Sequence, residues 1–118
     1  KQIDIVSAMM DAFMAYSSGH AVIPPVGELA FDAPPGDVHI KYGYLKEGTH
    51  YVVKIASGFY ENPQLGLPSS QGLMLLFEQR TGQLSAILID NGKLTDLRTG
   101  AAGAVAAAGT CAPSLFLN

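Results

Sequence analysis

The apolar positions of this chain fall first at helical spacing and then at strand spacing. Over residues 4–18, Val6, Met9, Met10, Phe13 and Tyr16 recur three or four positions apart, which puts them on one helical face. Asp4 suits the N-cap of this helix and Gly19 its stop. The two methionines read as core filler rather than ligands. Pro24-Pro25 and Pro34-Pro35-Gly36 then bracket a short extended piece, Glu28–Phe31. Alternation sets in over Asp37–Tyr44: Val38, Ile40, Tyr42 and Tyr44 face one way, His39, Lys41 and Gly43 the other. Lys46-Glu47-Gly48-Thr49 predicts a hairpin turn, and Tyr51–Ile55 returns. On that second strand Tyr51, Val53 and Ile55 share one face, and Val52, Lys54 and Ala56 the other.

Gly58–Ser70 reads as a loop of roughly thirteen positions, long enough for a functional role. Two further strands, Gly72–Glu78 and Leu84–Asp90, meet across Arg80-Thr81-Gly82, and Asn91-Gly92 signals a tight turn. A last helix is predicted from Thr95 to Ala108, capped by Thr95 and ended by Gly109. Gly100, Ala101, Gly103, Ala104 and Ala107 leave it thin enough for close backbone packing. The apolar tail Pro113–Asn118 calls for a partner surface. Together these elements predict one α+β domain over residues 1–118. Its sheet is mostly antiparallel, of about four to six strands, with one flanking amphipathic helix and a C-terminal Gly/Ala-rich helix.

Composition changes this picture in one respect. Charged residues make up 14% of the 118 positions and hydrophobic ones 48%, against about 25% charged in ordinary soluble domains. Either this is a small Ala-rich domain, or part of its apolar surface is covered by further copies in a dimer or larger homo-oligomer. The net charge of -3, with no basic stripe, excludes nucleic acid as an expected partner. The apolar runs are too short to cross a bilayer, and Lys1-Gln2-Ile3-Asp4 does not open a signal peptide. Cys111 is the single cysteine, which fits a reducing, cytoplasmic setting and leaves no thiolate metal cluster.

Candidate chemistry is sparse. Lys54 lies mid-strand with apolar face-mates, either pointing to solvent or partly desolvated and in need of an anion. Arg98, near the start of the last helix, is either a surface residue or a bidentate partner for a carboxylate. The two would form a carboxylate clamp wherever the fold joins them. His39 and Lys41 share a strand face, and His39 reads either as a hydrogen-bonded structural residue or as a site residue. No His/Asp/Glu spacing argues for a metal, and no nucleophile–base pair is evident, so no catalytic residue is assigned. No G-x-G-x-x-G occurs, so no cofactor is expected on this chain alone.

Several blocks then carry a resemblance: Gly36-Asp37-Val38-His39-Ile40-Lys41-Tyr42-Gly43, Tyr51 to Tyr60 with Asn62-Pro63, Gly66-Leu67-Pro68-Ser69-Ser70, Gly72 to Phe77, Thr81-Gly82 and Leu94-Thr95-Asp96-Leu97-Arg98-Thr99. In this order and spacing the chain resembles the ornithine cyclodeaminase/mu-crystallin family from about Asp4 to Pro113, most closely its ectoine-utilisation branch. The resemblance implies a substrate and dimerisation domain whose sheet meets a second copy in a barrel-like dimer, followed by a Rossmann domain binding NAD(P). It implies oxidation of an amino acid to an imine, or reduction of a ketimine or keto acid. Lys54 matches the family's substrate-contacting lysine and Arg98 its carboxylate-binding arginine; His39 falls where some members place an acidic residue near the substrate amine. Another family arginine, after the early proline, has no counterpart in Pro24-Pro25-Val26-Gly27, and Lys41 stands as its substitute.

The Rossmann strand would follow Ala112-Pro113, where Ser114–Asn118 end the sequence. The expectation is therefore a truncated substrate domain that oligomerises and binds a small amino- or imino-acid carboxylate, proline, ornithine or an ectoine-like compound, without redox catalysis of its own. The alternative is a fragment or split half of an NAD-dependent enzyme of this kind.

Overall fold

A computed structural model describes residues 2–111, with side chains to residue 108; the tail expected to seek a partner surface lies outside these. The chain divides into two compact units, one of residues 20–92 and one joining both ends of the chain.

The larger unit is a six-stranded antiparallel sheet. Its strands are β1 (Ala21–Val22), β2 (Gly27–Asp32), β3 (Pro35–Leu45), β4 (His50–Phe59), β5 (Ser70–Glu78) and β6 (Leu84–Ile89). The long β3 holds β1 and β2 along one edge and β4 along the other, and β5 and β6 follow in order. The hairpin predicted at residues 46–49 is present. Its turn is closed by the Gly48 amide on the Leu45 carbonyl and pinned by the Gln79 side-chain amide, which donates to the carbonyls of Leu45 (3.1 Å) and His50 (2.9 Å). Two-residue β1 escaped the sequence pattern, because so short a strand has no period to read.

Register sorts the side chains into two unlike faces. Gly36 pairs with Phe59, Ile40 with Ile55, Tyr42 with Val53 and Tyr44 with Tyr51. Beyond them Phe77, Leu75 and Leu73 continue the same face into β5, and Ile87 and Ile89 into β6. This face is apolar except where Ser57, opposite Val38, pairs with Gln71. Tyr51 and Phe77 stack across strands at 4.9 Å. Phe31 and Phe59 lie on either side of Gly36 and meet at 5.5 Å. A Cβ on Gly36 would sit 2.6 Å from the Phe59 ring and 2.8 Å from the Gly58 carbonyl, so only glycine lets the two rings close over the strand.

The segment expected as a long loop is shorter and more ordered. β4 runs to Phe59, β5 begins at Ser70, and a 3₁₀ turn, Asn62–Leu65, occupies the interval. Proline at its start fixes φ, Gly66 ends it at φ 72°, and the Asn62 side chain donates to the Pro68 carbonyl at 3.0 Å. At its near end the Tyr60 hydroxyl donates to Asp37 Oδ2 at 2.6 Å, tying the exit of β4 to the entry of β3.

The smaller unit pairs α1 (Ile5–Ser17) with α2 (Lys93–Cys111). Asp4 caps α1 by accepting from the Ser7 amide at 3.1 Å, and Gly19 follows the helix in the left-handed region. The end expectations for α2 are corrected. The helix starts at Lys93, so Thr95 is an interior residue whose carbonyl accepts from the Thr99 hydroxyl, and helical backbone continues past Gly109. Neither correction is unusual: a capping residue type is also a tolerable interior one, and glycine ends a helix only where the left-handed turn is adopted. Ala101 and Val105, one turn apart, are its buried positions, whereas Gly100 and Gly103 face open space. The buried positions are thus an alanine and a valine, not the glycines. Of the α1 stripe only Met9 and Met10 are half-buried; Val6, Phe13 and Tyr16 are exposed.

Two outcomes follow from this packing. Gly36→Ala is expected to destabilise the chain by about 1–3 kcal/mol, read as a lower denaturant midpoint; an unchanged midpoint would mean the rings part freely. The Asp37 carboxylate, by accepting the Tyr60 hydrogen bond and by its charge, holds that phenol above its ordinary value of 10.0. A proton held more tightly in the folded state favours folding below pH 10 and is lost as pH rises through the raised value. Ultraviolet titration of the tyrosines should show one late phenol, returned towards the ordinary range by Asp37→Asn.

Candidate functional site

The face of the sheet opposite the aromatic one carries the polar groups. Alternation along β3 and β4 puts Asp37, His39 and Lys41 on it together with Lys54, and the register sets Lys41 directly opposite Lys54 and His39 opposite Ala56. Three of the four residues singled out in the sequence therefore share one patch. Lys54 is half-buried, flanked along β4 by Val52 and Ala56 and opposed on β5 by Met74, with Leu88 of β6 beyond it. Its stem lies over apolar neighbours, the arrangement in which an aliphatic chain is covered and the ammonium is presented at the end. Lys41 is exposed and makes no ion pair among the described residues.

His39 is held between two carboxylates, with Glu28 Oε1 3.6 Å from Nε2 and Asp37 Oδ1 3.7 Å from Nδ1. With the Tyr60 hydroxyl on the other oxygen of Asp37, a row Glu28–His39–Asp37–Tyr60 runs along this end of the face. Asp37 could have been read from the sequence, since it stands two positions before His39 on an alternating strand. Glu28 could not, because only the β2–β3 register, Glu28 opposite His39, brings it there. The patch can bind an anion through the lysines and hold a polar or protonated group near His39. Among the described residues no group of histidine, cysteine and carboxylate side chains is placed to hold a metal ion.

Arg98 belongs to the helical unit, exposed in the second turn of α2. Lys54, the partner expected for it, belongs to the larger unit. A groove of about 530 Å³ lies on the aromatic face, lined by Tyr42, Tyr44, Tyr51 and Val53 among others, with no lysine, arginine, histidine or carboxylate in its wall. Its chemistry suits apolar contact, not a charged ligand.

Comparison with known proteins agrees with this architecture. The family model described as "Ornithine cyclodeaminase/mu-crystallin family" matches residues 1–109. A protein of Sinorhizobium fredii named as a cyclodeaminase is 44% identical over 106 residues, 89% of this chain and 32% of its own length. Among solved structures, Δ1-pyrroline-2-carboxylate reductase of Thermococcus litoralis, in complex with NADH and L-proline, superposes with a TM-score of 0.78 at 29% identity, over 85% of this chain and 31% of that one. An archaeal alanine dehydrogenase dimer with bound NAD gives 0.76 at 33% identity, over 84% and 29%. The chain spans about a third of the length of the curated relatives it matches. With the sheet, α1 and most of α2 inside the matched span, the chain belongs to the ornithine cyclodeaminase/mu-crystallin family.

Proposed function

We propose that this chain is the substrate-binding and subunit-pairing segment of a cyclodeaminase- or reductase-type enzyme. In this reading it pairs with a second copy through the aromatic face and holds the carboxylate of a small amino or imino acid on the lysine face. The observation that carries it is the division of β3 and β4 into those two faces by register. Lys54 presents its ammonium from an apolar surround, where a charge interaction is stronger than in open water. Arg98 supplies a planar, permanently charged fork that suits the same carboxylate. Lys41 and His39 complete the ligand set.

The aromatic face supports the pairing half. Leu29, Phe31, Tyr42, Ile87 and Ile89 are all exposed on it, Ile89 to 74%. Fully burying one such side chain is worth about 1.5–3 kcal/mol, so a second apolar sheet is a strong occupant. The family's alanine dehydrogenase structure is a dimer.

The dinucleotide that accompanies relatives such as the reductase and the alanine dehydrogenase does not fit the residues described in this chain. A pyrophosphate cradle needs glycines at a strand-to-helix turn with backbone amides open to the ligand. Gly100 and Gly103 lie well inside α2 instead. No redox step is therefore assigned to these residues, and the nucleotide-binding part of the reaction falls to another polypeptide segment.

Light scattering on the 118-residue chain is expected to give a dimer or larger, and Ile87→Asp, which places a charge on the exposed apolar face, should shift it to monomer. A stable monomer for the unaltered chain would end the pairing claim. Calorimetric titration with L-proline and L-alanine should give saturable binding, weakened about tenfold by Lys54→Met and by Arg98→Met, as loss of a charge-assisted contact requires. Flat titrations with both would end the carboxylate claim.

A further inference from the structure

We infer that Asn91 is a site of spontaneous covalent modification. The Gly92 amide nitrogen attacks its side chain, ammonia leaves, and aspartate or isoaspartate remains at that position. The chemistry needs an asparagine, a backbone N–H on the following residue, and room for that nitrogen to reach the side-chain carbon. Asn62 fails the second condition, since Pro63 has no N–H, and its side chain is engaged with the Pro68 carbonyl. Among the described asparagines, Asn91 alone is followed by an amide that can attack. That amide belongs to glycine, whose missing Cβ leaves the approach open.

The fold leaves this pair outside the regular elements. β6 ends at Ile89 and α2 starts at Lys93, so neither residue lies inside a strand or a helix. Both have positive φ, 51° at Asn91 and 83° at Gly92, and the first is a conformation that a residue with a side chain adopts at some cost. Asn91 is exposed, while Gly92 is buried beside Ser70, whose Cβ would stand 3.6 Å from a Cβ added there. The Gly92 N–H donates to Asp90 Oδ1 at 3.4 Å, a long bond. Asp90 therefore restrains the reaction. This bond must open before the nitrogen swings towards Asn91, and the negative carboxylate opposes loss of the N–H proton.

In the reaction the Gly92 N–H gives its proton to hydroxide and the nitrogen bonds to Asn91 Cγ. The Cγ–NH2 bond breaks, and ammonia leaves with a proton from water. Water then adds to either carbonyl of the succinimide and opens the ring, with no oxidant, reductant or further reactant. Opening at one carbonyl gives aspartate; opening at the other gives isoaspartate, whose main chain runs through Cβ. Either product adds a negative charge just ahead of α2, the helix end where an anion is favoured.

The test is mass spectrometry of the folded 118-residue chain held in mildly alkaline buffer. A gain of about 1 Da, OH for NH2, should accumulate. It should map to the peptide holding residues 91 and 92 and resolve into aspartate and isoaspartate forms. Asn91→Gln, whose longer side chain closes a larger ring, should remove the gain. Asp90→Ala should speed it about threefold, the worth of one long, part-exposed hydrogen bond. Asp90→Ser, which keeps an acceptor oxygen without the charge, should fall between, and serves where Asp90→Ala unfolds and reacts at the rate of the chain in guanidinium chloride. No gain in the folded chain while the chain in guanidinium chloride reacts would overturn the proposal, as would a gain mapped to any other residue. Equal rates for the unaltered chain and both Asp90 variants would overturn the restraint assigned to Asp90.

Discussion

The sheet has one face with almost nothing but apolar and aromatic side chains, and that face is only half-buried. Everything else in the larger unit is arranged around this. Pairs such as Tyr51 with Phe77 and Phe31 with Phe59 give the strands lateral cohesion, yet no large side chain in the described chain is fully buried. Cross-strand contacts contribute a few tenths to about 1 kcal/mol each, less than full burial of the same side chains would. A second apolar sheet laid over this one would convert half-burial into burial. The apolar face thus explains the low charge content better than small size does.

That constraint determines where a ligand can go. If one face is given to pairing, chemistry is confined to the other, and the same strands must serve both. β3 and β4 do so by strict alternation: each apolar residue in Val38–Tyr44 is followed by one that projects from the opposite side, and the partners on β4 match. A shift of a single residue would put Lys41 and Lys54 against the aromatic layer, at the cost of burying unpaired charge. The lysines therefore also act as register marks, each charge excluding the slipped alternative.

Much of this was legible in the sequence because period two carries both facts at once. The faces of Asp37–Tyr44 and Tyr51–Ile55, the hairpin between them and the Asp4 cap all follow from local pattern, and the structure bears them out. What pattern could not supply were facts that depend on partners. Glu28 joins His39 only through the β2–β3 register, and β1 exists only because β3 extends far enough to receive it. The start of α2 was misplaced because Thr95 has the chemistry of a cap, and helix ends are decided by a competition among neighbouring residues that a single preference does not settle. The interval after β4 was read as loop because proline and glycine punctuate it, whereas those same residues fix the 3₁₀ turn and its left-handed exit.

The position of Lys54 joins these threads. Its neighbours along and across the sheet, Val52, Ala56 and Met74, are what a structural strand residue would have, so apolar patterning and site-building use the same positions. A lysine there costs the sheet something: its stem adds apolar cover, but its ammonium must be kept out of the core and opposite another ammonium on β3. A sequence selected for stability alone would replace one of the pair with threonine or glutamate. Both positions are lysine, on the face opposite the aromatic one, and it is this pair of charges that the proposed carboxylate site draws on.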